Sequence, residues 1–239
     1  MEEQQAKRKG GLYHKTQVQL AYNSNRIEGS KLTEEQTRYI FETRTIGFKD
    51  QEAVPVDDII ETTNHFIAFD DLLRTIDEPL TEDLIKEFHR RLKTGTADAQ
   101  LSYFNVGDYK KLANEVGGRD TCKPDAVAKE MKSLQEWYHT QKDVTLHTLA
   151  EYHWRFESIH PFQDGNGRVG RLILFRECLR NNVMPFVIDN EHKMDYYRGL
   201  SDFKQTPGFL IGTMQSAQDV YEAWIKYFNE ELLEGLRIE

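Results

Sequence analysis

Twelve consecutive residues, His160 to Arg171, read HPFQDGNGRVGR, and their types and spacing suit chemistry at phosphorus. A loop carrying Gly165 and Gly167 ahead of a helix lets successive backbone N–H groups point into one concavity, to which the helix N-terminus adds partial positive charge. That is an anion cradle. Arg168 and Arg171, three residues apart, emerge on neighbouring positions of the first helical turn, where two planar forks of donors can reach different phosphate groups. Asp164 beside the cradle would repel phosphate unless a divalent cation bridged the two, which argues for Mg²⁺ and a nucleotide. His160, neutral near pH 7, can take the proton of a hydroxyl as it attacks phosphorus. Together the residues point to phosphoryl or nucleotidyl transfer. Singly, each is more often structural: a histidine before proline ends a helix, and first-turn arginines are commonly solvated. Nine residues of given type at fixed spacing match by chance on the order of 10⁻¹² per start position.

The elements that must position these residues are helical. Leu146, Leu149, Tyr152, Phe156 and Ile159 recur at spacings of three and four, predicting one buried helical face that leads to His160. Pro161 disfavours helical geometry at His160, and the glycines permit a tight turn. A second helix begins near Arg168 with Val169, Leu172, Ile173, Arg176 and Leu179 on one face. Further helices are expected from Val56 to Ile76, Thr81 to Lys93, Asp125 to Gln141 behind Pro124, Tyr196 to Phe203 and Phe209 to Leu233. Thr33 and Gln36 make a capping box for a helix through Thr43. Leu101 to Asp120 breaks this pattern with Gly107, Gly117 and Gly118, and with Tyr109 and Val116 as strand formers; a hairpin is expected there.

The 239 residues suffice for a large core, and with no repeat, low-complexity tract or linker one domain over 1–239 is the simplest count. The net charge of −9 disfavours nucleic acid as a partner while leaving small anions open. Cys122 and Cys178, far apart, suit a reducing compartment. The N-terminus MEEQQAKRKGGLYHK lacks the apolar stretch of a secretory leader, and no apolar run nears membrane-spanning length. A cytoplasmic protein with no membrane contact is expected.

The stretch from His160 to Arg171 resembles the full signature of the Fic family, and the preceding RFESIHPF also resembles its members. The resemblance implies a mainly helical, all-α Fic fold with a small β-hairpin flap, and transfer of AMP from ATP to a hydroxyl of a target protein. It implies His160 as the base and Asp164 as the Mg²⁺ ligand. Gly165, Asn166 and Gly167 would form the anion hole around the α-phosphate, with Asn166 counted among the catalytic residues. Arg168 would hold the phosphates and Arg171 the γ-phosphate. The Doc branch, which phosphorylates its target, carries lysine where Gly167 stands, so Gly167 favours AMP transfer. The hairpin near 101–120 would be the flap on which the target protein docks by strand addition. KMDYYRGLSDF resembles the segment packed against adenine, implying Tyr196, Tyr197 and Leu200 as contacts; Lys204 stands where some relatives carry a base-bonding asparagine.

YNSNRIEGS contains Ser24, Glu28 and Gly29 in the pattern Ser-x-x-x-Glu-Gly. Alone it is a weak motif, one helical turn ending at a glycine. Within a Fic-like chain it resembles the inhibitory helix, here residues 14–30, whose glutamate pairs with Arg171 and blocks the γ-phosphate position. Self-modification would accompany its release. Two other uses of the residues remain: removal of AMP from a modified protein with Glu28 positioning water, and a nucleotide-sensing binding protein with little turnover. A homodimer through exposed helical faces is compatible with the sequence. Many relatives append a winged-helix domain, and none is expected within these 239 residues.

Overall fold

The computed structural model describes residues 10–47 and 53–235, with side chains through 229; the first residues of the segment read for a leader, 1–9, lie outside the described residues. Among the described residues the regular structure is nine α-helices, a 3-10 turn at Asp98–Gln100 and one two-stranded hairpin: α1 (Leu12–Ile27), α2 (Glu34–Thr43), α3 (Val56–Arg74), α4 (Glu82–Lys93), β1 (Glu115–Val116), β2 (Arg119–Asp120), α5 (Pro124–His139), α6 (Leu146–Ile159), α7 (Asn166–Arg180), α8 (Lys193–Asp202) and α9 (Gly208–Gly235). This is the all-α architecture with a small flap that the sequence implied.

Local chemistry sets most of the boundaries. The Thr33 hydroxyl accepts the Gln36 N–H while the Gln36 side chain accepts the Thr33 N–H, closing the expected capping box of α2. Thr81 and Thr145 cap α4 and α6 the same way, each accepting the N–H three residues on. Pro124 occupies the first turn of α5, where its missing donor costs nothing. The α3 and α5 helices each stop two residues short of the expected end, and α8 starts three residues earlier, at Lys193.

Helix α7 is the centre of the molecule. Every residue from Arg168 to Cys178 is buried, and α7 packs against α1, α3, α4 and α6. Phe156 and Ile159 from α6, Phe162 from the connecting loop and Val169, Leu172 and Ile173 from α7 share one hydrophobic core with Phe88 of α4 and Phe69 of α3. Each of these large side chains gains roughly 1.5–3 kcal/mol from burial, which holds the loop between α6 and α7 in place. Arg176 is fully buried inside this core, where its terminal nitrogens donate to Glu177 and to the carbonyls of Thr75 and Glu78.

The flap differs from expectation in extent. Only Glu115–Val116 and Arg119–Asp120 pair, antiparallel, around Gly117 and Gly118, both at positive φ (57° and 74°), as a two-residue hairpin turn whose twist matches that of its strands requires. Residues 101–114 are turns and irregular backbone. Tyr109 does not join a strand: its N–H donates to Asp108 Oδ1 at 2.8 Å and its carbonyl accepts from the Asn105 amide at 3.0 Å, while its hydroxyl donates to Glu82 Oε2 of α4 at 2.5 Å.

Helices α8 and α9 approach closely at Gly199, where a Cβ would lie 2.7 Å from Leu210 Cα and 2.8 Å from its nitrogen. Backbone cannot yield as a side chain can. Gly199→Ala should therefore destabilise the fold by about 1–3 kcal/mol, seen in thermal unfolding as a Tm loss of about 2–4 °C per kcal/mol; an unchanged Tm would mean that the two helices separate freely.

Candidate active site

His160 caps α6 in the left-handed region, with φ 52° and ψ 62°, and its N–H donates to the Phe156 carbonyl at 2.9 Å. This conformation costs a β-carbon residue about 1–2 kcal/mol, and Pro161 behind it prevents a helical alternative. The turn that follows is held by Asn166, whose side-chain oxygen accepts the Phe162 N–H at 2.8 Å and whose amide donates to the Phe162 carbonyl at 2.9 Å. Its side chain is thus consumed in shaping the loop, so what remains for an anion is its backbone N–H. Gly165, at φ 82°, forms the N-cap of α7 and offers no side chain there, leaving the first-turn N–H groups of α7 as the donors the cradle requires.

Both arginines are buried and paired with carboxylates. Arg168 binds Glu61 of α3 and Asp164 Oδ2, the latter at 2.9 Å. Arg171 donates to the Ser24 hydroxyl at 3.0 Å, to the Ser24 carbonyl at 2.9 Å and to Glu28 Oε1 at 2.6 Å. So Ser24 on α1 and Glu28 at its C-cap, four residues apart, close on the second signature arginine, while Gly29 follows at φ 102°. A side chain on Gly167 would collide with Glu28 Oε1, so the Glu28 carboxylate rests against the first turn of α7 itself. Arg168 Nε and Arg171 Nη1 are buried with no hydrogen-bond partner. Such orphaned donors favour an arriving anion.

Charge states follow from this packing. Burial, and after it the ammonium of Lys110, lowers the His160 pKa to about 4, keeping the imidazole neutral and able to accept a proton. Burial acts to raise the Asp164 carboxyl, but Arg168 and Lys93 outweigh it and hold the group well below the usual carboxylate range. Burial likewise works to discharge Arg171, and Glu28 reverses that. Glu157 is pushed up to about 8 by burial, with Arg171 opposing. The site therefore offers one neutral base, one ionised carboxylate beside it and two fixed cations.

Residues 79–177 match the Fic/DOC family. Over these residues the chain carries a domain of the Fic family. It is 31% identical over 193 residues to the protein adenylyltransferase Fic of Nematostella vectensis, an alignment covering 77% of this chain and 42% of that protein. To the protein adenylyltransferase Fic of Drosophila melanogaster it is 28% identical over 218 residues, covering 85% and 42%. The chain thus spans less than half the length of these curated relatives. A Fic-domain-containing signaling protein of Bacteroides thetaiotaomicron shares the fold with a TM-score of 0.72 and 25% identity, over 99% of this chain and 88% of that one.

The three residues that the resemblance implies as adenine contacts, Tyr196, Tyr197 and Leu200, are placed differently from one another. Tyr196 is buried, its hydroxyl 2.6 Å from His153 Nε2 and its ring beneath the Arg171 guanidinium at 5.8 Å, which is support for Arg171 and not a surface for a base. Tyr197 keeps an exposed ring and donates to the Ile27 carbonyl at 3.2 Å; Leu200 packs at the core margin. A cavity of about 380 Å³ lined by Asp189, His192, Asp195, Phe209 and Val220 lies between α8 and α9 and shares no residue with the Fic signature loop.

Sequence reasoning missed several groups that support the Fic loop. Lys93 Nζ, buried, reaches Asp164 Oδ2 at 2.7 Å, Glu61 Oε1 at 2.6 Å and Asp98 Oδ2 at 3.1 Å. His89 stacks flat on Phe162 with centroids 4.0 Å apart, its Nδ1 accepting the Gly107 N–H and its Nε2 meeting the Asp164 carbonyl. Since Nδ1 accepts, Nε2 carries the proton and donates; burial, with Lys93 next, keeps this ring neutral, its pKa lowered to about 3. A signal existed: His89 and Lys93 stand four apart on the same inward side of α4 as Ile85, Phe88 and Leu92, where a charged residue needs a partner.

Proposed function

We propose that this chain is a protein adenylyltransferase that transfers AMP from ATP to a Ser, Thr or Tyr hydroxyl of a target protein, and that its own α1, within residues 14–30, restrains it. The observation that carries the reading is the neutral His160 beside a glycine-lined helix N-terminus backed by two buried arginines with unused donors. In this reading the target hydroxyl gives its proton to His160 as its oxygen bonds the α-phosphorus. The bond from that phosphorus to the bridging oxygen breaks, and pyrophosphate leaves. The Gly165–Gly167 backbone holds the α-phosphate, Arg168 and Arg171 the outer phosphates.

Among the described residues no group of three or more metal-ligating side chains is found, so protein alone makes no metal cage. One ionised carboxylate at Asp164 nevertheless fits Mg²⁺, which commonly takes one or two carboxylates together with substrate phosphates and water. Bound there, Mg²⁺ would neutralise phosphate charge. A target segment would dock beside the flap, where Leu112 and Val116 are exposed. Signature loop 160–171 and inhibitory segment would act within one domain, and the two free cysteines support a reducing compartment such as the cytoplasm. Among the described residues no helix is long and apolar enough to cross a membrane.

The test is incubation of Glu28→Gly with Mg²⁺ and ATP labelled either at the α- or the γ-phosphate, following label on protein. Label from the α position alone is expected, on the chain itself and on lysate proteins; label from the γ position would replace AMP transfer by phosphoryl transfer. One observation supports a second reading: the Glu28 carboxylate, 30% exposed, sits against Gly167 in the cradle, a place from which it could orient water toward an AMP-modified protein.

A further inference from the structure

The left-handed backbone at His160 needs something to hold it, since strained conformations persist only where their surroundings over-determine them. That something is in the flap. Lys110 is buried, and its backbone N–H donates to the Pro161 carbonyl at 2.9 Å, one residue after His160. Its ammonium donates to the Ile159 carbonyl at 3.4 Å, one residue before it, and also to Asn114 Oδ1 and Thr121 Oγ1, each at 2.7 Å. Asn114 in turn donates to the carbonyls of Phe162 and Gln163 at 3.1 and 3.3 Å, and Thr121 donates to the Asn114 carbonyl at 2.9 Å. The loop from 159 to 163 is thereby laced to both ends of the hairpin.

We propose that Lys110 is the positioning residue through which the flap sets the general base: it brackets the backbone on both sides of His160 and places a buried positive charge beside the imidazole. The inference rests on the adenylyltransferase reading. Its electrostatic part has support in the surroundings of the ring. Lys110 is the cation acting on His160, while Glu28 from α1, Asp164 from the loop and the backbone at Glu157 of α6 act in the opposite sense. Glu157, its Oε2 3.9 Å from His160 Nδ1, is largely protonated at pH 7 and so does little to cancel that charge. Lys110 itself is lowered to about 8 by burial and remains mainly cationic at neutral pH. A target strand added at the flap edge would press on the same lacing, so docking and base geometry are coupled.

The experiment compares Lys110→Met and Lys110→Arg in the full chain by two independent readouts. The first is an NMR pH titration of the His160 imidazole, assigned against His160→Ala and recorded without nucleotide. The second is the rate of AMP transfer in the Glu28→Gly background. Lys110→Met should raise the His160 pKa by about one unit, a tenfold change in proton affinity, and lower kcat by roughly 10–100-fold with KM for ATP unchanged. Lys110→Arg, keeping the charge, should leave the titration near that of the parent. If Lys110→Met does not fold, Lys110→Gln carries the same two readouts. A folded variant with parental His160 titration and parental kcat would overturn the proposal. Absence of AMP transfer from the Glu28→Gly parent itself would instead overturn the functional reading, while the titration would still report on Lys110.

Discussion

Glu28→Gly should raise AMP transfer by at least about 100-fold over the unaltered chain, because misplacing a reacting phosphate by about an ångström costs on that order. The Glu28 carboxylate holds Arg171 at 2.6 Å and lies against Gly167, so a γ-phosphate must compete with a negative charge for the same donors. A nucleotide bound past that obstacle would present its α-phosphate out of line with the attacking hydroxyl. Removing the carboxylate restores the guanidinium to the ligand, and Ser24 still supports it from α1 through its hydroxyl and carbonyl. The same change should lower stability, since Arg171 loses its charged partner. With Glu28 30% exposed, the loss should fall below the roughly 3–5 kcal/mol of a fully buried broken pair. Activity rising while Tm falls is the expected pair of results. Equal activity in both proteins would remove α1 as the restraint. Withdrawal of α1, if it is the restraint proposed, would be eased by the character of its interface: Thr16, Gln17, Asn23, Ser24 and Asn25 are buried there, so much of the contact is polar and exchangeable with water.

In the Glu28→Gly background, His160→Ala should lower AMP transfer by about 10²–10⁴-fold, the usual contribution of a positioned general base. ATP affinity should be kept, because the cradle and the arginines are untouched. The pH profile carries the sharper signature. A base works only unprotonated, and with the His160 pKa lowered to about 4 the rate should be flat from pH 5 through neutrality and fall only below it. Asp164 stays ionised over that range, so it adds no limb of its own. An acidic limb near the ordinary histidine value of about 6.5 would show that the ring is solvated in the working enzyme.

The local part of this molecule was legible in its residues. Thr33 with Gln36, Pro124 in the first turn of α5, and Pro161 after a periodic apolar face fix helix ends through contacts within a few residues, so composition and spacing suffice to read them. The signature loop belongs to the same class, since Gly165, Asn166 and the first turn of α7 are near neighbours in the chain. Flap length was not legible, because propensity marks Tyr109 as a strand former while in the fold its N–H and carbonyl are taken by Asp108 and Asn105 and its hydroxyl by Glu82 of α4.

What the sequence by itself determined was therefore the chemistry on offer: a base, a carboxylate, a glycine-lined helix start and two arginines, all carried within twelve residues. The tertiary structure alone decided what each of them faces. Arg171 meets Glu28 across 143 positions, Arg168 meets Glu61 across 107, and Lys93 meets Asp164 across 71. Periodicity tells which side of a helix turns inward, but the partner waiting there is set by how helices cross and how far each is displaced along its axis. Those quantities arise only when the whole apolar core closes at once, and they put a neutral histidine, the Glu28 carboxylate and a buried lysine around one loop.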